Sequence, residues 1–518
     1  MNYDLIIIGA GSTGSCIAYE AVKRDLKVAL IDSGDIGGGT SCRSTKLLHG
    51  GVRYLELAFK SLDISQLRLV KEALAEREYW LRAAPFLSRR IELGLPTQNT
   101  LQQGYYRLGL CLYDILAGEQ NTCKSKKISK TEIEKALPLI KDNLNGGIVY
   151  SDGQFNDSRL NLALALTAEK EGASLRTYCK IIKLNHGSNK KLCGITIENK
   201  YGIQEELNGS AIINAAGLGV DKIREMADPG IEPKTIISRG IHLVLKEELC
   251  PEGMGLLIPS TKDGRVLFVL PFFGKTQIGT TDTRCTNENA QKPSNEEKQY
   301  LIDYVKKWFP TIGEPTVKST WAGGRALLKP NKEKNKSSQV VREHEVEVMA
   351  CGLISAIGGK WTTCRPLALD TLKAAANVLN KKLQTPRQIP LIGTNKNYSQ
   401  TKNGLKEGKQ QIKDLLPDSK CRSRQIAHLQ SQYGLNALSV VSKGEKATLQ
   451  PLSNIIPICK AEIDHAIQYE YARTPNDVLI RRSRLAMVDT DEAKRLLPTV
   501  NKCLERHGLK PGELNLEQ

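Results

Sequence analysis

The first 32 residues constrain the fold most. Residues 4–8, Asp-Leu-Ile-Ile-Ile, form the continuous apolar run that a parallel strand buried on both faces requires. The run ends in Gly9-Ala10-Gly11-Ser12-Thr13-Gly14, and a helical pattern extends from Ser12 to Leu26. A second apolar strand, Lys27–Ile31, stops at Asp32. This strand, glycine turn, helix and strand predict the opening of a doubly wound α/β sheet. Gly9 permits the tight turn, Gly11 lets a pyrophosphate approach the backbone, and Gly14 allows close packing of helix on strand. Ser12 and Thr13 stand at the helix N-terminus, where amide donors and positive potential favour an anion. Asp32 is placed to accept from a ribose hydroxyl. The pattern predicts a bound dinucleotide and leaves NAD and FAD both open.

The remaining pattern predicts further units. An amphipathic helix is read from Ser61 to Leu87, with apolar residues at 67, 70, 74 and 81, and another from Ser158 to Glu171. Ala211–Ala216 reads as a strand entering a turn at Gly217. Residues 235–283 carry the alternation of a mixed sheet. Asn331–Ser338 reads as a lysine-rich loop, and a helix is expected from about Thr362 to Leu379. Residues 384–411 are read as a linker, and those from about 412 to 518 as helical.

The 518 residues suggest about three domains. Lys and Arg number 74 against 56 Asp and Glu, a net charge of +18 that favours acidic partners. The cations are interspersed with acids, and aromatics make up only 5 % of the chain, so the stacking and basic surface of a nucleic-acid binder is not expected. Thirteen scattered cysteines without a CxxC suggest reduced thiols in the cytoplasm, with neither a disulfide framework nor a metal site. No apolar run approaches the roughly 18 residues of a membrane helix. The N-terminus lacks the basic start of a signal peptide.

A longer segment, Gly38-Gly39-Thr40-Ser41-Cys42-Arg43-Ser44-Thr45-Lys46-Leu47-Leu48-His49-Gly50-Gly51-Val52-Arg53-Tyr54-Leu55-Glu56, resembles the FAD-dependent glycerol-3-phosphate dehydrogenases. The resemblance continues in order at Leu69–Glu78, Arg107–Asp114, Ile278–Asp282, Ile357–Thr363 and Tyr471–Leu479. It implies a Rossmann-like FAD domain over 1–75, 145–225 and 340–385. It further implies a mixed-sheet cap over 76–144 and 226–339, and a helical C-terminal domain over 396–518. The implied reaction oxidises the C2 alcohol of sn-glycerol 3-phosphate to dihydroxyacetone phosphate, with hydride passing to flavin N5 and electrons to a membrane quinone.

The resemblance also implies site residues. His49, Arg53 and Arg325 are the expected catalytic set, and Arg53, Tyr54, His242, Arg325 and Lys360 the substrate contacts. Arginine suits bidentate phosphate recognition, and histidine suits proton transfer near neutral pH. The expected FAD contacts are Gly9, Gly11, Ser12, Thr13, Gly14, Asp32, Thr40, Ser41, Ser44, Lys46, Leu48 and His49, then Ala216, Gly217, Gly358, Gly359, Lys360, Trp361 and Thr362. Thr363 is a further pocket candidate. Around Arg325 the chain reads Gly-Gly-Arg-Ala where the family resembles Gly-Val-Arg-Pro, which bears on local geometry.

Two alternatives share the fold: an oxidase of the same substrate that uses O₂ and makes hydrogen peroxide, and an amine or amino-acid oxidase, which has little use for a phosphate cradle. Without a spanning helix the protein is expected at the cytoplasmic face of an anionic membrane as a peripheral enzyme, with Phe272-Phe273 beside Lys275 as an anchoring suggestion. A homodimer is left open.

Overall fold

A computed structural model describes residues 2–51, 64–118, 123–259, 261, 264–329 and 344–517. The predicted opening is present as β1 (Asn2–Ile8), α1 (Ser12–Val22) and β2 (Val28–Ile31). β1 is the inner strand of an eight-stranded sheet, paired in parallel with β2 on one side and with Gln204–Asn214 on the other. Leu353–Gly358 and Ser174–Arg176 extend the parallel order outward, and the hairpin Cys179–His186/Leu192–Asn199 and the edge strand His344–Val348 add antiparallel members. α1, Asp157–Lys170 and Cys364–Leu379 pack together over one face of this sheet. Their Ala, Leu and Cys side chains are buried, including Cys16, Ala18, Leu164, Ala168 and Leu367.

A second, ten-stranded sheet carries the long antiparallel pair Thr235–Leu245 and Val317–Leu328. Helix Asn295–Trp308 seals one side with Leu301, Val305 and Trp308, and begins with a capping box between Ser294 and Glu297. The C-terminal region is helical, and its apolar cluster around Leu479, Met487 and Leu496 also takes in Val244, Phe272 and Trp321 of the second sheet. A π-helical turn, Asp477–Arg482, interrupts it and directs consecutive arginines toward the first sheet.

Two readings need correction. The stretch 384–411 is not all linker, because helix Tyr398–Leu415 starts within it, capped by Asn397 accepting from Gln400 N at 2.9 Å. It buries only Thr401 and Ile412, which is why its apolar pattern is sparse. Gly404 lies there because a Cβ would stand 2.8 Å from Leu435. Phe272 and Phe273 also do not form one patch. Phe272 is buried beside Trp321, Phe273 turns out at a hairpin tip with φ +51°, and Lys275 pairs with Asp489 at 3.5 Å. The loop Asn331–Ser338 lies outside the described residues.

Candidate active site

The glycine turn is built as its spacing requires. Gly9 has φ +103°, and a Cβ there would stand 2.5 Å from Ala215 O. A Cβ on Gly14 would stand 1.8 Å from Gly9 O, so α1 could not sit this close to β1 with any other residue. Asp32 braces the turn, with Oδ2 accepting from Ala10 N at 2.7 Å and Oδ1 from Gly34 N at 2.8 Å. Burial nonetheless raises its pKa against those two bonds. Ser41 Oγ accepts from Ser12 N at 2.8 Å, tying the later loop to the start of α1.

A cavity of about 1620 Å³ runs from this turn, between the two sheets, to the C-terminal segment 508–513. That volume exceeds the 300–1,000 Å³ of ordinary small-ligand sites and suits an extended cofactor plus substrate. Gly9, Gly11, Ser12, Thr13, Asp32, Thr40, Ser41, Ser44, His49, Ala216 and Gly217 line it, and Gly358, Gly359, Lys360, Trp361 and Thr362 complete the opposite wall. The backbone turn, the narrow glycine approaches and the length of this wall fit an FAD. Gly14, Lys46, Leu48 and Thr363 stand behind the wall rather than on it. Arg53 and Tyr54 lie outside the described residues.

Lys46 is the clearest departure from expectation. Its Nζ is buried and donates to Cys42 O (2.9 Å), Ser44 O (3.0 Å) and Asp157 Oδ2 (2.7 Å). Burial pushes its pKa down to about 7, against the pull of Asp157. Arg484 reaches the same two partners, donating to Cys42 O at 2.9 Å and meeting Asp157 Oδ1 at 3.1 Å. Although burial opposes ionisation, Lys46 and Arg484 together hold the Asp157 carboxyl below the usual range. The Lys46 amine therefore braces residues 42–46 from behind the cavity wall.

Beyond the glycine walls, His49, His242 and Arg325 line the same cavity. His49 Nδ1 accepts from Gly51 N at 3.0 Å, which fixes the proton of the neutral ring on Nε2. The neighbouring Gly50 N donates to Tyr113 Oη (3.0 Å) and Asp152 Oδ1 (3.3 Å), and Arg77 pairs with that carboxylate at 3.0 Å. This buried Asp152–Arg77–Tyr113 cluster anchors the His49 turn. Sequence reasoning missed it because its members come from three separate elements.

His242 Nε2 faces Thr45 Oγ1 at 3.0 Å, and its ring stacks on Trp321 with centroids 5.3 Å apart. Burial, then the Lys46 and Arg325 charges, press its pKa well below the ordinary value, so the ring is neutral. Arg325 Nη2 donates to Thr280 Oγ1 at 3.0 Å. A Cβ on Gly240 would stand 2.1 Å from that same Nη2, so the guanidinium crosses directly over a glycine. The glycine in the Gly-Gly-Arg-Ala departure has a local reason: a Cβ on Gly324 would stand 2.7 Å from Ala290 and 3.0 Å from Leu218.

All thirteen cysteines lie among the described residues and are free thiols. Among the described residues, no helix is long and apolar enough to cross a membrane.

Comparison with known proteins agrees with this arrangement. Residues 4–365 match the family described as FAD dependent oxidoreductase, and residues 384–508 match the C-terminal domain of alpha-glycerophosphate oxidase. A probable mitochondrial glycerol-3-phosphate dehydrogenase of Dictyostelium discoideum is 35 % identical over 96 % of this chain and 80 % of its own length. The mitochondrial glycerol-3-phosphate dehydrogenase of Mus musculus is 36 % identical over 98 % of this chain and 70 % of its own. In fold, the chain resembles the crystal structure of the Bacillus halodurans glycerol-3-phosphate dehydrogenase complexed with FAD. The TM-score is 0.76 at 24 % identity, covering 97 % of this chain and 91 % of that one. With the dinucleotide turn, the FAD-length cavity and relatives matched over nearly the whole chain, this protein belongs to the FAD-dependent glycerol-3-phosphate dehydrogenase family, and its cofactor is FAD.

Proposed function

We propose that the protein oxidises the C2 hydroxyl of sn-glycerol 3-phosphate, giving dihydroxyacetone phosphate, and passes the electrons to a membrane quinone. The observation that carries this reading is the convergence of Arg325, Lys360 and two imidazoles on one cavity with the dinucleotide turn. A phosphate dianion carries more charge than the single carboxylate of an amino acid, so two fixed cations suit it better. Bound FAD supplies a hydride acceptor at N5.

The side chains then divide the remaining work. Arg325 and Lys360 take the phosphate. In the tautomer that the Gly51 amide favours, His49 donates from Nε2 to the C2 oxygen and stabilises charge developing there. The Thr45 hydroxyl accepts the proton of the C2 hydroxyl while donating its own to His242 Nε2, in the neutral tautomer whose proton sits on Nδ1. Because the pKa of His242 is depressed, the ring stays neutral as pH falls past 6.5. The rate should therefore show no acid limb from this residue near that pH.

Anaerobic addition of glycerol 3-phosphate should bleach the flavin absorbance, whereas glycerol, lactate and amino acids should leave it intact. An unbleached spectrum with glycerol 3-phosphate overturns the assignment. A second reading, O₂ as the electron acceptor, is favoured by the match of residues 384–508 to an oxidase domain. Hydrogen peroxide formed in step with substrate consumption, without quinone reduction, would select it. The quinone reading implies a peripheral position on a membrane. The free thiols support a reducing compartment such as the cytoplasm.

A further inference from the structure

Helix Tyr398–Leu415 buries only Thr401 and Ile412 against the rest of the C-terminal helices. One of its outer faces carries a single sign of charge. Lys402, Lys406, Lys409 and Lys413 are all exposed and fall four, three and four residues apart, a spacing that stacks them in one row. The row runs about 16 Å, at 1.5 Å per residue. The residues three and four positions from each lysine are Lys, Asn, Gln, Tyr, Ser, Leu, Ile and Pro, so no acid lies within reach along the helix. Among the described residues none of the four takes part in an ion pair. Like charges at this spacing destabilise a helix, and a helix that meets only water ordinarily alternates its charges.

The row leads to a second cavity. Tyr398, four residues before Lys402, stands at its head, with Lys402 Nζ 5.6 Å from the ring centroid. The same tyrosine lines a cavity of about 490 Å³, apart from the active site. Tyr19 and Lys23 of α1, Tyr79 and Arg82 of Ile64–Ala83, and Lys396 line it too, and among the described residues no Asp or Glu does. Its volume falls within the range of small-ligand pockets. Tyr19 Oη donates to Ile389 O at 2.6 Å, tying α1 to the extended segment that forms another wall. The cavity therefore sits where the helices of the first sheet meet the C-terminal region.

We infer that the lysine row and the cavity at its head form the docking site for an acidic polypeptide segment of a partner protein. Carboxylates of the segment lie along the row, and one large apolar or aromatic side chain fills the cavity. The neighbouring surface selects this occupant. One position beyond the lysines runs a second exposed row, Asn403, Glu407, Gln410 and Asp414. Its two carboxylates repel a uniform polyanion such as a nucleic acid, whereas a polypeptide can set amides or cations against them. A lipid surface needs apolar side chains to insert, and neither row has one. A second copy meeting the same face would set lysine against lysine. An anchor side chain seated in a pocket is where protein interfaces concentrate their binding energy. The inference does not depend on the reaction proposed above.

The test uses the full-length holoenzyme and a fluorescent helical peptide with glutamates at the same four-three-four spacing and a tryptophan near one end. Anisotropy at low salt should show binding that weakens about tenfold or more in K402Q/K406Q/K409Q/K413Q. A control, K124Q/K126Q/K127Q/K130Q, removes the same charge elsewhere and should stay within about twofold of the unaltered protein. None of these eight lysines lines the active-site cavity, so both variants should melt near the parent temperature and reduce a water-soluble dye at the parent rate. Tyr398→Ala should weaken the peptide by a smaller factor, and a peptide without the tryptophan should be indifferent to that substitution. Absence of peptide binding, or equal loss in the two quadruple variants, overturns the inference, the second because net charge alone would then explain it. So does tighter binding of an oligothymidylate of equal charge, or of vesicles of phosphatidylcholine and phosphatidylglycerol, that is lost only in the first variant. An affinity that responds to neither Tyr398→Ala nor the tryptophan overturns the role given to the cavity.

Discussion

At the N-terminal corner of the cavity, the loop residues are held by main chain and glycine: a turn with no room for Cβ atoms, two amides on Asp32, and Ser41 on the first amide of α1. From the C-terminal side, charged side chains grip the same region. Arg481 and Arg482 meet Asp35 at 2.5 and 2.7 Å, and Arg484 shares Asp157 with Lys46. All four cations and both carboxylates are buried. The first device is steric and tolerates almost no variation. The second is electrostatic, and its stability depends on every charge keeping its partner. A cofactor loop that must be both open to a ligand and fixed in place is thus set by shape on one side and by charge on the other.

Substitutions can separate the two devices. Gly14→Val should have the largest effect, because its Cβ meets backbone and not a flexible side chain. The expected loss is about 4–5 kcal/mol or more, seen as colourless, poorly folded protein with no flavin spectrum. Asp35→Ala should come next. It leaves two buried guanidinium groups short of a partner, at a cost of about 3–5 kcal/mol in denaturation. An Asp35→Ala protein as stable as the parent would show that the C-terminal grip is dispensable.

Lys46→Met should give a smaller effect that depends on pH. The folded pKa of Lys46 lies near 7, below that of a free lysine, so charging it in the interior destabilises the fold most fully below pH 7. That penalty is relieved as pH rises toward 10. The stability of the parent relative to Lys46→Met should therefore climb by about 2 kcal/mol between pH 7.5 and 9. A difference that stays flat with pH would mean that Asp157 keeps the lysine charged. Ser41→Ala is the mildest, removing one bond to the α1 terminus at a cost of about 1 kcal/mol, with a few-fold weaker retention of FAD by dialysis.

The same contrast explains what could be read from the chain. The turn at Gly9–Gly14 was legible because all its parts lie within six residues and each has a steric reason. Arg325 and Lys360 became visible only through a resemblance, since spacing alone says nothing about which distant cations share a cavity. The pairing of Asp35 with Arg481 and Arg482 carried no signal at all, because it joins residues 446 and 447 positions apart. Asp152 carries no signal in the sequence, because Arg77, Tyr113 and the Gly50 amide reach it only through the fold. Lys46 is expected as an FAD contact, but its side chain turns inward, a choice fixed by Asp157 more than 100 residues later.

The distance between Asp35 and Arg482 also sets a clock on synthesis. At about 5–20 residues per second, translation of the 447 positions between them takes roughly 20–90 s. Throughout that interval the nascent FAD loop has its glycines and Asp32 but none of its C-terminal arginines. Arg43, whose Nη1 donates to Leu516 O at 2.7 Å, waits longer still. Stable loading of the cofactor should therefore come late in the life of the chain. A chain truncated before residue 481 has every strand of the first sheet but lacks both arginines that meet Asp35, and it should retain less flavin than the parent.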